Sequence, residues 1–67
     1  MTPTDQPTPA ELRALRAFVK AGSAKDAALE LHCAPQTVKN HLFTLRQKLG
    51  VHSTLQAALL LRDELAA

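Results

Sequence analysis

Three apolar-periodic segments of this 67-residue chain open on a serine or threonine that stands three places ahead of an acid or amide. The quartets are Thr8-Pro9-Ala10-Glu11, Ser23-Ala24-Lys25-Asp26 and Ser53-Thr54-Leu55-Gln56. This is the capping-box pattern, in which a hydroxyl accepts from the third helical N–H and the later side chain reaches back to the cap. The first N–H groups of a helix lack partners within it, so such boxes mark helix starts. Pro9 strengthens the first, because proline suits the first helical position. Pro35 marks a fourth start, although the preceding Ala34 is a poor cap and loses about 1 kcal/mol relative to serine. Gly22 and Gly50 provide stops. The pattern predicts helices over 9–21, 24–31, 35–49 and 54–65, and no stretch alternates with a two-residue period, so the fold class is all-α.

Residues 1–7 hold too little apolar surface to bury and read as a flexible tail, leaving one domain over 8–67. A core this small supplies only about 3–5 kcal/mol, so a staple is expected. Cys33 is the only cysteine, which excludes an internal disulfide. A structural zinc site needs four ligands, and His32, Cys33 and His41 do not provide them. A partner subunit is the remaining staple. Cys33 itself reads as a small core residue. No apolar run approaches the roughly 18 residues of a membrane span, and the start lacks the basic and apolar regions of a signal peptide. With one free thiol, the expected location is the cytoplasm.

On the third predicted helix, Val38, Leu42, Leu45 and Leu49 fall within about 60° of one another on a wheel of 100° per residue. That stripe is the core face. Leu12, Leu15, Phe18 and Val19 form the expected inner face of the first helix, and Ala27, Ala28 and Leu31 that of the second. Opposite the stripe of the third helix stand Gln36, Asn40, Phe43 and Gln47, flanked by Lys39 and Arg46. A Phe among amides and cations is out of place on an idle surface. The second and third helices are joined by His32-Cys33-Ala34, the short turn of a helix-turn-helix, whose second helix enters the major groove of DNA. The residue types fit: Asn and Gln can pair bidentately with adenine, Lys with guanine, and an apolar group can meet the thymine methyl. Gln36, Lys39, Asn40 and Phe43 are therefore the candidate base contacts. Charge agrees in sign. From Leu31 through Arg62 no acid occurs, while Lys39, Arg46, Lys48, Arg62 and all three histidines do. One-sided positive charge is the footprint of a polyanion binder. His41 lies beside the apolar stripe and either bonds a backbone group or touches phosphate.

The fourth helix carries apolar side chains over about 200° of arc, where one core needs a stripe of about 100° or somewhat more. The excess implies a second buried surface. No nucleophile with a base and orienting acid, no phosphate loop and no carboxylate pair is present, so no enzyme is expected, and neither a cofactor nor a small-molecule ligand is evident. Two other readings remain open: an interaction module that binds RNA polymerase or another regulator without reading DNA, and a sigma-like promoter reader. The wide arc of the fourth helix argues against the second.

Together the stretches "PTPAELRAL", "GSAKDAALEL", "TVKNHLFTLRQKLGV" and "STLQAALL" resemble the LuxR/GerE-type DNA-binding domain over about residues 8 to 65. The most specific blocks are Thr37 to Leu42, Lys48 to Val51 and Gln56 to Ala58. The resemblance implies four helices, the third for DNA recognition and the fourth for homodimerisation, and a chain of the stand-alone, GerE-like form. By position it implies base reading by Lys39, Asn40 and Phe43, and phosphate contact by Thr37, Arg46 and Lys48. His52 stands where many members carry Lys or Arg. His32 replaces a common turn glycine, and Ala34 a common capping Ser. Leu55, Ala58 and Leu59 match the dimer face. With neighbouring polar positions added, the full candidate phosphate set is Ser23, Lys25, Thr37, Thr44, Arg46, Lys48 and His52, and Arg62 joins the dimer set. The expected partners are double-stranded DNA and a second copy of the chain, with RNA polymerase as a further candidate.

Overall fold

The computed structural model describes residues 6–66. Its helices are α1 (Pro9–Ala21), α2 (Ala24–Leu31), α3 (Pro35–Leu49), α4 (Thr54–Leu60) and α5 (Arg62–Ala66). Among the described residues no strand occurs. Residues 1–5 of the expected tail lie outside the described residues. Gln6, at its other end, has a carbonyl that accepts from the Lys48 ammonium at 3.2 Å.

The caps explain the boundaries. At α1 the box closes in both directions: Glu11 N–H donates to Thr8 Oγ1 at 3.1 Å, and Thr8 N–H donates to Glu11 Oε1 at 3.0 Å. Ser23 and Ser53 make only the forward half, accepting from Asp26 N–H and Gln56 N–H. Asp26 is one methylene shorter than a glutamate. Gln56 turns instead to the His52 N–H at 3.2 Å. Ala34 makes no side-chain cap bond.

Helix ends are left-handed at three places. Gly22 has φ 90° and Gly50 φ 70°, while His32 takes φ 58°, the one non-glycine with positive φ among the described residues. The α2 and α3 ends share one motif. His32 N–H donates to the Leu29 carbonyl and Cys33 N–H to that of Ala28; likewise Gly50 N–H donates to Gln47 and Val51 N–H to Arg46. These paired bonds are the Schellman pattern, which consumes carbonyls the helix leaves open.

Around these ends α1, α2 and α3 pack on one another, α4 closes against α1 and α3, and α5 returns to α1. The core comprises Ala14, Leu15, Ala17, Ala27, Ala28, Val38, Leu42, Leu45, Ala57 and Leu61. Alanines at the α1–α2 contact let the backbones approach. Leu12, Phe18, Leu31 and Leu49 pack partly buried against this cluster.

Three expectations are corrected. Val19 is 50% exposed and not part of the core. The neighbours of α1 sit over its Ala14–Ala17 side, leaving Val19 on the flank. Cys33 is exposed; it follows the left-handed residue of the turn, where no element covers it. The fourth helix is interrupted at Leu61 (φ −106°, ψ 19°). Leu61 is buried, and its N–H and carbonyl still bond Ala57 and Leu65, so the helical path bends at that point rather than ending.

Candidate nucleic-acid interface

α3 is held by its stripe. Val38 and Leu45 are fully buried and Leu42 nearly so. Turning that stripe inward forces Gln36, Lys39, Asn40 and Phe43 outward, and all four are exposed. Phe43 keeps 55% of its surface in solvent, so the core does not account for it. It sits on the wall of an open groove of about 530 Å³, together with Phe18, Ala24, Lys39, Asn40 and Thr54. The starts of α2 and α4 thus face the same groove as the outer face of α3.

Within the row, Gln36 Nε2 donates to Asn40 Oδ1 at 3.0 Å. This one-turn pair orients the Asn40 amide. It leaves the Asn40 NH₂ free to donate and one lone pair of its Oδ1 free to accept, the combination an adenine edge requires.

The expected phosphate-facing residues divide. Ser23 uses its oxygen as a cap acceptor, which leaves its hydroxyl hydrogen available to an outside acceptor. Lys25, Thr37, Thr44 and His52 are exposed. Among the described residues, neither Lys25 nor Lys39 is in an ion pair. Arg46 is half-buried and donates Nη1 to Thr54 Oγ1 at 3.0 Å, bracing α3 against the first residue of α4.

Lys48 departs from the expectation. Its Nζ lies 2.9 Å from Glu11 Oε1, with only 15% of the lysine side chain and 6% of the glutamate side chain exposed. Glu11 is the one buried charged residue among those described. Burial pushes its carboxyl pKa up, but the Thr8 N–H and the Lys48 ammonium outweigh that and hold it below the ordinary 4.5. The ammonium is turned inward, toward the Glu11 carboxylate and the Gln6 carbonyl. His41 is half-buried and lines a separate shallow cleft with Arg13, Glu30, Cys33 and Thr37.

A second surface lies on α4. Leu55 and Leu59 are 71% and 68% exposed. With Ala58, Arg62, Leu65 and Val19 they line an apolar groove of about 590 Å³. All four candidate dimer residues are brought together there. Val19 and Leu65, outside the candidate set, line the same groove. The signal for Val19 was its wheel angle, to one side of Ala14 and Phe18.

A short helix, a three-residue turn and a longer helix with a polar, cationic outer face define a helix-turn-helix domain of the DNA-binding regulatory class. The family model described as bacterial regulatory proteins, luxR family (GerE) matches residues 7–61, and the chain belongs to that family. No curated protein and no solved structure gives a significant match. Among the described residues no helix is long and apolar enough to cross a membrane, and no three metal-ligating side chains cluster.

Proposed function

We propose that the protein is a sequence-specific transcription regulator that binds duplex DNA as a homodimer, with α3 in the major groove. The observation that carries this reading is the outer face of α3: a hydrogen-bonded amide pair, a lysine in no ion pair among the described residues and a solvent-exposed Phe side by side, opposite the buried Val38, Leu42 and Leu45. Gln36, Lys39, Asn40 and Phe43 meet base edges. Ser23, Lys25, Thr37, Thr44, Arg46 and His52 face phosphates; Lys48 leaves that set because of its ion pair with Glu11. Leu55, Ala58, Leu59 and Arg62 form the two-fold contact, extended by Val19 and Leu65. A two-fold interface uses the same patch on both subunits, as a self-complementary leucine groove permits. The work is done in the cytoplasm, where the DNA is.

Selection of bound duplexes from a random pool at fixed salt tests the reading. The expected product is an inverted repeat with half-sites about one helical turn apart. On it, Lys39→Ala and Asn40→Ala each lose about 1–3 kcal/mol of discrimination between matched and mismatched sites. Binding that weakens steeply with salt is expected from counterion release. Recovery of no sequence, with binding to a protein partner that salt leaves unchanged, overturns the reading in favour of an interaction module.

A further inference from the structure

Lys48 lies on the last turn of α3, about 120° around the helix from Gln36 and away from the outward row. Its ammonium is shared between the carboxylate of Glu11 at 2.9 Å and the carbonyl of Gln6 at 3.2 Å. The same Glu11 oxygen accepts the Thr8 N–H at 3.0 Å. One carboxylate therefore gathers the segment before α1, the first turn of α1 and the last turn of α3.

A lysine in this position has two ways to help DNA binding. It can swing out to a phosphate, or it can stay and hold α3. Swinging out leaves Glu11 buried with its charge uncompensated, and breaking a buried pair in that way is strongly unfavourable. A phosphate contact at the surface, in high dielectric, returns less. Staying costs nothing further. Elsewhere α3 is fixed by buried apolar packing at Val38, Leu42 and Leu45; on the last turn Leu49 packs only partly buried against the core, so directional contacts share in fixing its rotation and sliding. Near that end these are Lys48 to Glu11 and Arg46 to Thr54.

We propose that Lys48 serves DNA binding without touching DNA: paired with Glu11, it is a positioning residue that sets the last turn of α3, and with it Arg46, against the start of α1. This rests on the reading of α3 as the DNA-facing helix.

The test uses the duplex that the wild-type protein recovers from a random pool, and measures affinity per folded protein across a salt series. Melting curves of each variant supply the folded fraction. The variants are Lys48→Met, Glu11→Gln and the double variant E11L/K48M, which replaces the pair with apolar groups of similar volume. Positioning predicts that Lys48→Met and Glu11→Gln each weaken binding by about tenfold, the scale of one lost interaction. The salt slope stays at its wild-type value, and the double variant recovers most of the affinity. A purely structural pair lowers melting temperature and leaves affinity per folded protein unchanged, which overturns the proposal. A phosphate contact lowers the salt slope by about 0.9 for Lys48→Met, leaves Glu11→Gln at or above wild-type affinity, and is not recovered in the double variant; that also overturns it. Should the single variants unfold, the milder Glu11→Asp and Lys48→Arg take their place: affinity per folded protein that falls at a wild-type salt slope supports positioning, and affinity that stays at the wild-type value, or a slope lower by about 0.9 in the double variant, overturns it. Failure of the wild-type protein to recover any duplex overturns the DNA reading itself, an outcome distinct from all of these.

Discussion

Replacing His32 by glycine should make the protein more stable. His32 sits at φ 58°, ψ 44°, in the left-handed region. There a side chain's Cβ crowds the following carbonyl, at about 1–2 kcal/mol for an ordinary residue. Histidine visits the region more readily than most, so the lower end applies. Glycine removes the crowding but gives the unfolded chain more freedom, which returns about 0.5–1 kcal/mol. The net gain is at most about 0.5 kcal/mol. For a domain this small, each kcal/mol moves the melting temperature by about 4–8 °C, so a rise of up to about 2–4 °C is expected. Both bonds of the turn are made by backbone atoms, and glycine retains them. The molecule contains its own control, because the same motif at the end of α3 already uses Gly50 at φ 70°. Thermal unfolding followed by far-ultraviolet circular dichroism measures the shift, at one protein concentration so that any self-association is constant. A melting temperature lowered in His32→Gly refutes the reasoning, since it means that the imidazole contributes more than its backbone conformation costs.

Phe43→Ala should cost well under 1 kcal/mol of stability, as surface changes do, while weakening specific DNA binding; replacing a contacted thymine by uracil, which removes only the methyl, should mimic much of that loss. A large drop in melting temperature with unchanged uracil sensitivity refutes it. Leu59→Glu should yield a folded monomer that binds paired half-sites poorly, because each buried carboxylate would meet its two-fold copy; sedimentation that finds the wild-type protein monomeric even on DNA removes the premise. Glu11 has a folded pKa below its ordinary 4.5, so its charged form stabilises the fold above that pH, and the contribution disappears as pH falls through the lower folded value. Glu11→Gln should therefore be less stable than wild type at pH 7, with the gap closing below about pH 4.5; a gap that widens in acid has the wrong sign.

Local chemistry was legible and remote packing was not. The bounds of α1, α2 and α3 follow from Thr8, Ser23, Pro35, Gly22 and Gly50, because caps and stops act within a few residues of the boundary they set. The exposure of Phe43 followed from the stripe of α3, since one helix face fixes its opposite. Lys48 is the contrary case. Its wheel angle is equally compatible with solvent, and what buries it is Glu11, 37 positions earlier in the chain. The capping role of Glu11 was readable, but its burial depends on where α3 ends in space. Val19 was misplaced because hydrophobicity alone favours Val over Ala, whereas close helix contact favours Ala14 and Ala17. The bend at Leu61 has no turn residue to announce it.

The hydrogen bond from Arg46 to Thr54 joins the helix proposed to read DNA to the helix proposed to pair subunits. In a dimer formed through the leucine groove, the two α3 helices are placed by two copies of this joint in series across the two-fold axis. Any angular error at one is repeated at the other. A stiff joint makes the protein a ruler cut to a single length, about the 34–36 Å of one DNA turn. A loose one makes it a hinge that accepts operators with an inserted or deleted base pair between half-sites. In such a dimer, how strictly half-site spacing is enforced depends less on any group that touches a base than on the guanidinium that ties α3 to α4.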